Sequence, residues 1–239
     1  MIFIEHKFNL AQAGHSVIAN MYSNKEVNQI CTCLANAEQN SSSFLRTKAL
    51  FAIRQLLKNV PALSGLLFNE KMKALLVSLS DSELFFTKAI YFDKPSESNW
   101  FVGYHQDLSV SVDQKADAEG YINWTFKKGQ RGVQPPINIF QDTVTIRIHL
   151  DDTDKDNGAL KVIPRSHLKG IVRSESKDWN IDDEVVCDVK RGGVMLMKPL
   201  TLHASSRTTN GERRRVIHLE FNTQELAEPL KWLEYHAVL

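Results

Sequence analysis

The stretch "DTVTIRIHLDD", residues 142–152, most constrains the fold. Val144, Ile146, Ile148 and Leu150 alternate there with Thr145, Arg147 and His149. Successive side chains of a strand point to opposite faces, so one face is wholly apolar and the other polar and cationic. The apolar face needs an oily layer behind it. The polar face needs solvent or the inside of a barrel. Strand-like texture also runs through "ELFFTKAIYFDKP", "GALKVIP", "VVCDVKRGGVMLM" and "RRRVIHLEF". Turn-forming segments such as "DDTDKDNG" separate them.

The first third reads differently. Ser23 followed by Glu26 has the spacing of a capping box. "TKALFAIRQLLKNV" places Leu50, Ile53, Leu57 and Val60 at helical spacing, with Pro61 closing it. Asn69 is positioned to cap a further helix whose Met72, Leu75, Leu76 and Leu79 share one side. Two stretches, 113–140 and 165–184, fit no element and read as long loops. The expectation is one unit over 1–239: a mostly helical part to residue 82, then a mainly antiparallel core over 83–225. That is a sandwich or barrel with helices packed on one face.

Composition narrows the function. The chain has 239 residues, 43% of them hydrophobic, enough for a full core. A formal net charge of +1 argues against an electrostatic nucleic-acid binder. Cys31, Cys33 and Cys187 form no CxxC pair, which disfavours disulfides and thiolate zinc. The start lacks signal-peptide order, and no apolar run reaches membrane-spanning length. A soluble, cytoplasmic protein with no nucleic-acid or membrane partner is expected. The sequence does not set its oligomeric state.

The chemistry centres on "GYHQDLSV". His105 and Asp107 are two apart, so one strand face could present both to a metal. His203 in "GGVMLMKPLTLHASS" is the best third donor. Two imidazoles and a carboxylate leave three octahedral positions open, the non-heme ferrous arrangement. An HxD pair alone is common on surfaces, so spacing does not settle the matter. His6, His15 and His236 read as structural and His167 as a turn residue, while His149 and His218 stay ambiguous. In "NGERRRVIH", alternation puts Arg214, Val216 and His218 on one face and Arg213, Arg215 and Ile217 on the other. An arginine facing inward requires an anion. Alternation alone does not choose between Arg214 and Arg215.

Together "YHQD", "IHLDDTDKDNGALKVIPRSH" and "LHASSRTTNGERRRVIHLEF" resemble the phytanoyl-CoA dioxygenase family of iron(II)/2-oxoglutarate oxygenases, from about residue 84 to 221. The resemblance implies a double-stranded β-helix, a cupin-like jelly roll. It implies His105, Asp107 and His203 as ligands of Fe(II), and dioxygen and 2-oxoglutarate as co-substrates. Arg214 is then the 2-oxoglutarate anchor, with Gln106 and Ser205 touching the same co-substrate and Trp124 as an aromatic pocket residue. The family's "PGSH" is "PRSH" here, with Arg165 in place of glycine. No extension for a coenzyme A thioester is visible, and the aspartate ligand argues against halogenation. Residues 114–139 read as a lid or pocket wall whose Lys127, Lys128 and Arg131 favour an anionic or zwitterionic small molecule such as an amino acid. Arg147 and Lys88 are candidate substrate contacts, and the plainer role for Arg147 is an ion pair with a nearby aspartate. The expected activity is hydroxylation with release of succinate and carbon dioxide. The competing reading is a regulatory jelly roll that binds metal or 2-oxoglutarate without turnover.

Overall fold

The computed structural model describes residues 3–40, 45–46, 51–94, 101–127, 129–172 and 179–238. The N-terminal part contains α1 (Ile4–Ala13), β1 (His15–Ile18), α2 (Asn24–Asn40), β2 (Leu45–Arg46), β3 (Phe51–Arg54), α3 (Leu56–Asn59), α4 (Ser64–Leu67) and α5 (Glu70–Leu79). Strands β4 (Phe85–Lys94), β5 (Val102–His105), β6 (Val110–Val112), β7 (Ile122–Lys127) and β8 (Gln130–Gln134) follow. Then come α6 (Ile137–Asp142), β9 (Val144–His149), β10 (Leu160–Val162), β11 (Val185–Val186), β12 (Val194–Met197), β13 (His203–Ser205) and β14 (Arg214–Asn222).

A seven-stranded sheet runs β1-β12-β9-β14-β4-β3-β2, and a four-stranded sheet runs β11-β10-β13-β5. They form a double-stranded β-helix, as the sequence led us to expect. Ile146, Ile148, Ile217 and Leu219 on the outer face of the large sheet are buried against Val27, Ile30, Leu56 and Leu75 of the helices. That is the oily layer the alternating strand demands. Burial of such side chains contributes roughly 1.5–3 kcal/mol each. Between the sheets, Leu160, Val162, Met195 and Met197 fill one end. The other end is open and polar.

The capping signals hold. The Ser23 N–H donates to Glu26 Oε2 at 2.7 Å, and the Glu26 N–H reaches back to Ser23 Oγ at 3.3 Å. Asn69 Oδ1 accepts the Met72 N–H at 2.9 Å. The helix expected over 47–60 is reduced, where described, to the short α3. Residues 51–54 are instead strand β3, paired with β4 through Ile53 and Tyr91. Gln55, at φ 48, turns the chain into the short α3. Sheet pairing outweighs helical periodicity here, because both faces of this short strand are covered. Leu50 lies outside the described residues. α3 ends at Asn59, just ahead of Pro61, which itself opens a 3-10 turn. The N-terminal part thus supplies strands as well as helices, with β1 pairing β12 at the sheet's far edge.

The stretch read as a loop over 113–140 is mostly regular. β7 and β8 form a hairpin, β8 pairs with β6, and α6 follows. β7 has almost no buried residue, so it carried no apolar alternation to detect. Over 165–184 the described residues do form loops, with two 3-10 turns. Arg165 sits at φ 67 before the first of them, in the left-handed region that glycine favours, and its side chain is exposed. The turn keeps its shape without the glycine. Arg165→Gly is expected to cost nothing or to raise stability by up to ~1 kcal/mol, because the left-handed penalty is relieved. Chemical denaturation reads this.

Glu234 is buried beside β4, where its Oε1 accepts the Ala89 N–H at 3.2 Å. Burial pushes its carboxyl up to about 7, opposed by that hydrogen bond and by Lys88. A raised carboxyl pKa favours the folded, protonated form. The contribution is full below the unfolded value and is lost as pH rises through about 7. In Glu234→Gln this component of the pH dependence disappears. Relative to wild type, the variant should gain on the order of 2–3 kcal/mol between pH 4.5 and pH 7.5, read by unfolding at each pH.

Candidate metal centre

Strand pairing builds the centre. β13 lies antiparallel to β5 with His203 opposite His105, and their rings stand 4.2 Å apart. His105 Nε2 is 3.9 Å from Asp107 Oδ1, and His203 Nε2 is 3.8 Å from Asp107 Oδ2. One ligand atom from each of the three lies within 4.8 Å of the others.

Both histidines are locked by the same local device. His105 Nδ1 bonds the carbonyl of Gly103 at 2.9 Å, and His203 Nδ1 bonds the carbonyl of Thr201 at 2.9 Å. A carbonyl only accepts, so Nδ1 carries the hydrogen and Nε2 offers its lone pair. Burial drives the His203 imidazolium pKa down to about 4 against the pull of Asp107, so the ring is neutral. Burial would raise the Asp107 carboxyl, but His203, His218, Lys88 and His105 bring it down to about 2. A neutral His203 imidazole, the His105 imidazole and an ionised carboxylate fit a divalent ion such as Fe(II).

The segment before His203 is laced to its surroundings residue by residue. The Asp107 N–H donates to Pro199 O at 3.0 Å, and Gln106 Nε2 donates to Leu200 O at 2.6 Å. The Leu202 N–H donates to Ser166 Oγ at 2.8 Å, which gives the serine of "PRSH" a structural task. Gln106 also donates to Gly170 O at 2.9 Å and accepts the Val172 N–H at 2.8 Å. Its amide is fully engaged by backbone and does not line the cavity. This corrects the expectation that Gln106 touches a co-substrate: it joins the two ligand-bearing segments.

A cavity of about 270 Å3 opens beside the three ligands. Its floor is the inner face of the large sheet, and register orders that floor into rungs. Lys88 faces Glu220 across β4 and β14. On the next rung, His218 stands between Ile90 and Arg147. Then come Phe92 with Val216, and finally Lys94 with Arg214. All of these line the cavity, as does buried Ser205 from the opposite sheet.

The arginines sort by face as alternation required. Outward-facing Arg213 bonds Asp93, with Nε to Oδ1 at 2.8 Å, and Arg215 bonds Asp151 at 2.6 Å. Inward-facing Arg214 bonds the carbonyl of Gly158. Gly158 has φ 83, and a Cβ there would come within 2.7 Å of Ser206 O. Burial and nearby Arg147 lower the Arg214 pKa to about 9, so it stays charged at neutral pH. The same burial, with Arg214 beside it, lowers Lys94 to about 8. Lys88 is ion-paired to Glu220 at 2.9 Å. Arg147 finds no aspartate partner among the described residues. Its Nη1 donates to His218 Nδ1 at 3.2 Å instead.

Two expectations fail. Trp124 packs against the cluster of Val110, Val112 and Val133, away from the cavity. None of the described residues of the β7–β8 hairpin is among those lining the cavity. Lys127 and Arg131 are exposed, and the Arg131 guanidinium lies 5.5 Å from the centre of the Phe126 ring. Lys128 lies outside the described residues. Sequence reasoning missed Glu220 and Lys94. Extending the alternation from Arg214 and from Lys88 by two-residue steps would have found both.

Gln106→Leu removes three hydrogen bonds to backbone. We expect a loss of about 2–4 kcal/mol of stability and roughly 10–100-fold weaker nickel binding. His203→Ala should abolish high-affinity nickel binding altogether. Calorimetric titration of the metal-free protein checks both.

A family model described as Phytanoyl-CoA dioxygenase (PhyH) matches residues 10–216. L-proline trans-4-hydroxylase of Streptomyces griseoviridis is 32% identical over 38% of this chain and 45% of that protein. A phytanoyl-CoA dioxygenase domain-containing protein 1 homolog of Dictyostelium discoideum is 26% identical over 48% of this chain and 50% of its own length. The chain thus spans about half the length of the curated relatives it matches. Among solved structures, HygX of Streptomyces hygroscopicus, with nickel and 2-oxoglutarate bound, superposes with a TM-score of 0.67 at 14% identity over 92% of this chain and 86% of its own. The 2-oxoglutarate-dependent carbocyclase SnoK from nogalamycin biosynthesis gives 0.68 at 15% identity over 92% and 84%. With the family model spanning most of its length, the chain belongs to the phytanoyl-CoA dioxygenase (PhyH) family.

Proposed function

We propose that this protein is an iron(II)/2-oxoglutarate-dependent dioxygenase that hydroxylates a small anionic or zwitterionic metabolite. The observation that carries the reading is the pairing of a two-histidine, one-aspartate cluster with the buried cation Arg214 in one cavity. His105, Asp107 and His203 would hold the iron. When bound, iron supplies the oxidative decarboxylation of 2-oxoglutarate to succinate and carbon dioxide, coupled to oxygen insertion into a C–H bond.

The rest is the work of the chain. Arg214 receives the far carboxylate of 2-oxoglutarate; a guanidinium fork matches a carboxylate in shape and charge. Ser205, which lines the same cavity, would hold the same group. The hydrogen bonds to Gly103 and Thr201 keep both imidazoles oriented, so no reorganisation is needed on binding. Ile90, Phe92, Val102 and Leu160 give the cavity apolar walls that exclude water from the reacting carbon. The space is below the usual range for drug-sized ligands, which suits a substrate of amino-acid size. The likeness to an L-proline hydroxylase points the same way.

With iron(II), 2-oxoglutarate and oxygen, the protein should release succinate, faster in the presence of its substrate. Arg214→Gln should raise the KM for 2-oxoglutarate on the order of 100-fold, the scale of a buried charge-assisted pair. Succinate quantification across a panel of L-amino acids tests this. Tight 2-oxoglutarate binding with no succinate from any of them would favour a binding protein without turnover.

A further inference from the structure

The inner face of the large sheet carries one more guanidinium than the proposed function uses. Each outward-facing arginine of "RRR" has a carboxylate partner, Asp93 or Asp151. Neither inward-facing arginine, Arg147 or Arg214, has one among the described residues. Lys88 is neutralised by Glu220. A buried guanidinium does not shed its proton at neutral pH, so both positions call for an anion from outside the chain.

One dicarboxylate offers two carboxylates, and the metal and Arg214 take both, which leaves Arg147 without one. Arg147 sits opposite His218 across β9 and β14, four residues along from Arg214. At ~3.3 Å per residue their backbone positions are roughly 13 Å apart along the sheet. 2-Oxoglutarate bound between Arg214 and the three ligands leaves Arg147 beyond it, on the metal side. There Arg147 feels the charge of Asp107.

Arg147 is also aimed. Its Nη1 donates to His218 Nδ1, so His218 is the Nε2–H tautomer, and that hydrogen goes to Glu220 Oε1 at 2.9 Å. Glu220 Oε1 also takes Lys88 Nζ at 2.9 Å. The Phe92 ring stands edge-on to the imidazole, 6.4 Å between centres. This chain fixes one edge of the guanidinium without cancelling its charge, since its contact is a neutral imidazole.

Resting on the proposed function, we propose that Arg147 is the receptor for a carboxylate on the substrate, that His218 is its positioning residue, and that Lys88 is not a substrate contact. The substrate is then a small carboxylic acid, and the C–H attacked lies a few bonds from its carboxylate.

The test uses nickel-loaded full-length protein saturated with 2-oxoglutarate, titrated with the twenty L-amino acids and the primary amide of each acid that binds. At least one acid should bind, and its amide should bind at least ~30-fold more weakly, because the amide leaves a buried guanidinium unpaired. Arg147→Gln should weaken that acid at least ~30-fold more than it weakens 2-oxoglutarate. His218→Leu should weaken it in the same sense but less, and His218→Gln, which can accept from Arg147 and donate to Glu220, should restore part of the loss. Binding of 2-oxoglutarate with no acid bound, or acid and amide binding alike, overturns this inference and leaves the proposed function standing. So does an Arg147→Gln effect that falls equally on 2-oxoglutarate, which would assign Arg147 to the metal-bound end of the co-substrate. Failure of the nickel protein to bind 2-oxoglutarate at all removes the underlying reading as well.

Discussion

A charge taken out of water must be answered by another charge or by a ligand, and the large sheet is organised around that constraint. Its outer face is aliphatic and sealed by helices. Its inner face carries Lys88, Glu220, Arg147 and His218 on adjoining rungs, with Arg214 two rungs further on. Such groups are poor stabilisers, because desolvation offsets most of their mutual attraction. Well-packed leucines would hold the two sheets together better. Their presence on the inner face is therefore explained by what enters the cavity rather than by folding.

The metal centre obeys a second economy. Three donors, His105 on β5, His203 on β13 and Asp107 just past β5, must converge without any covalent link. The β5–β13 pairing sets the distance between the histidines, and each ring is oriented by the carbonyl two residues before it. Gln106 and Ser166 then tie the segment 199–202 to its neighbours, so the position of His203 is over-determined by backbone contacts. Backbone contacts thus orient the donors, which lowers the cost of reorganisation on binding.

Much of this was legible from alternation alone. The two faces of β9, the opposed fates of Arg213 and Arg214, and the shared face of Arg214, Val216 and His218 all follow from a period of two. Capping chemistry located α2 and α5 for the same reason: the signal is local, and a hydrogen bond between residues three apart needs no tertiary information. Where the outcome depended on a distant partner, the sequence misled. Residues 51–54 have a helical pattern but find β4 as a neighbour. Trp124 was assigned by its place in a family pattern, and the β7–β8 hairpin carries it away from the cavity. Gln106 lies between two ligands in sequence, but its amide is bonded to the backbone of Gly170, Val172 and Leu200.

That last case bears on how a binding site is recognised. The family pattern made Gln106 look functional, while Glu220, more than a hundred residues away, drew no reading. In space the ranking reverses. Glu220 is buried in the cavity wall and holds both Lys88 and His218, whereas Gln106 has no polar atom left for a ligand. The sounder criterion is an accounting of hydrogen-bond and charge capacity. A polar group whose partners are all supplied by the chain is structural, wherever it lies. A buried charge still lacking its counter-charge, as Arg147 and Arg214 do among the described residues, marks where a ligand completes the structure.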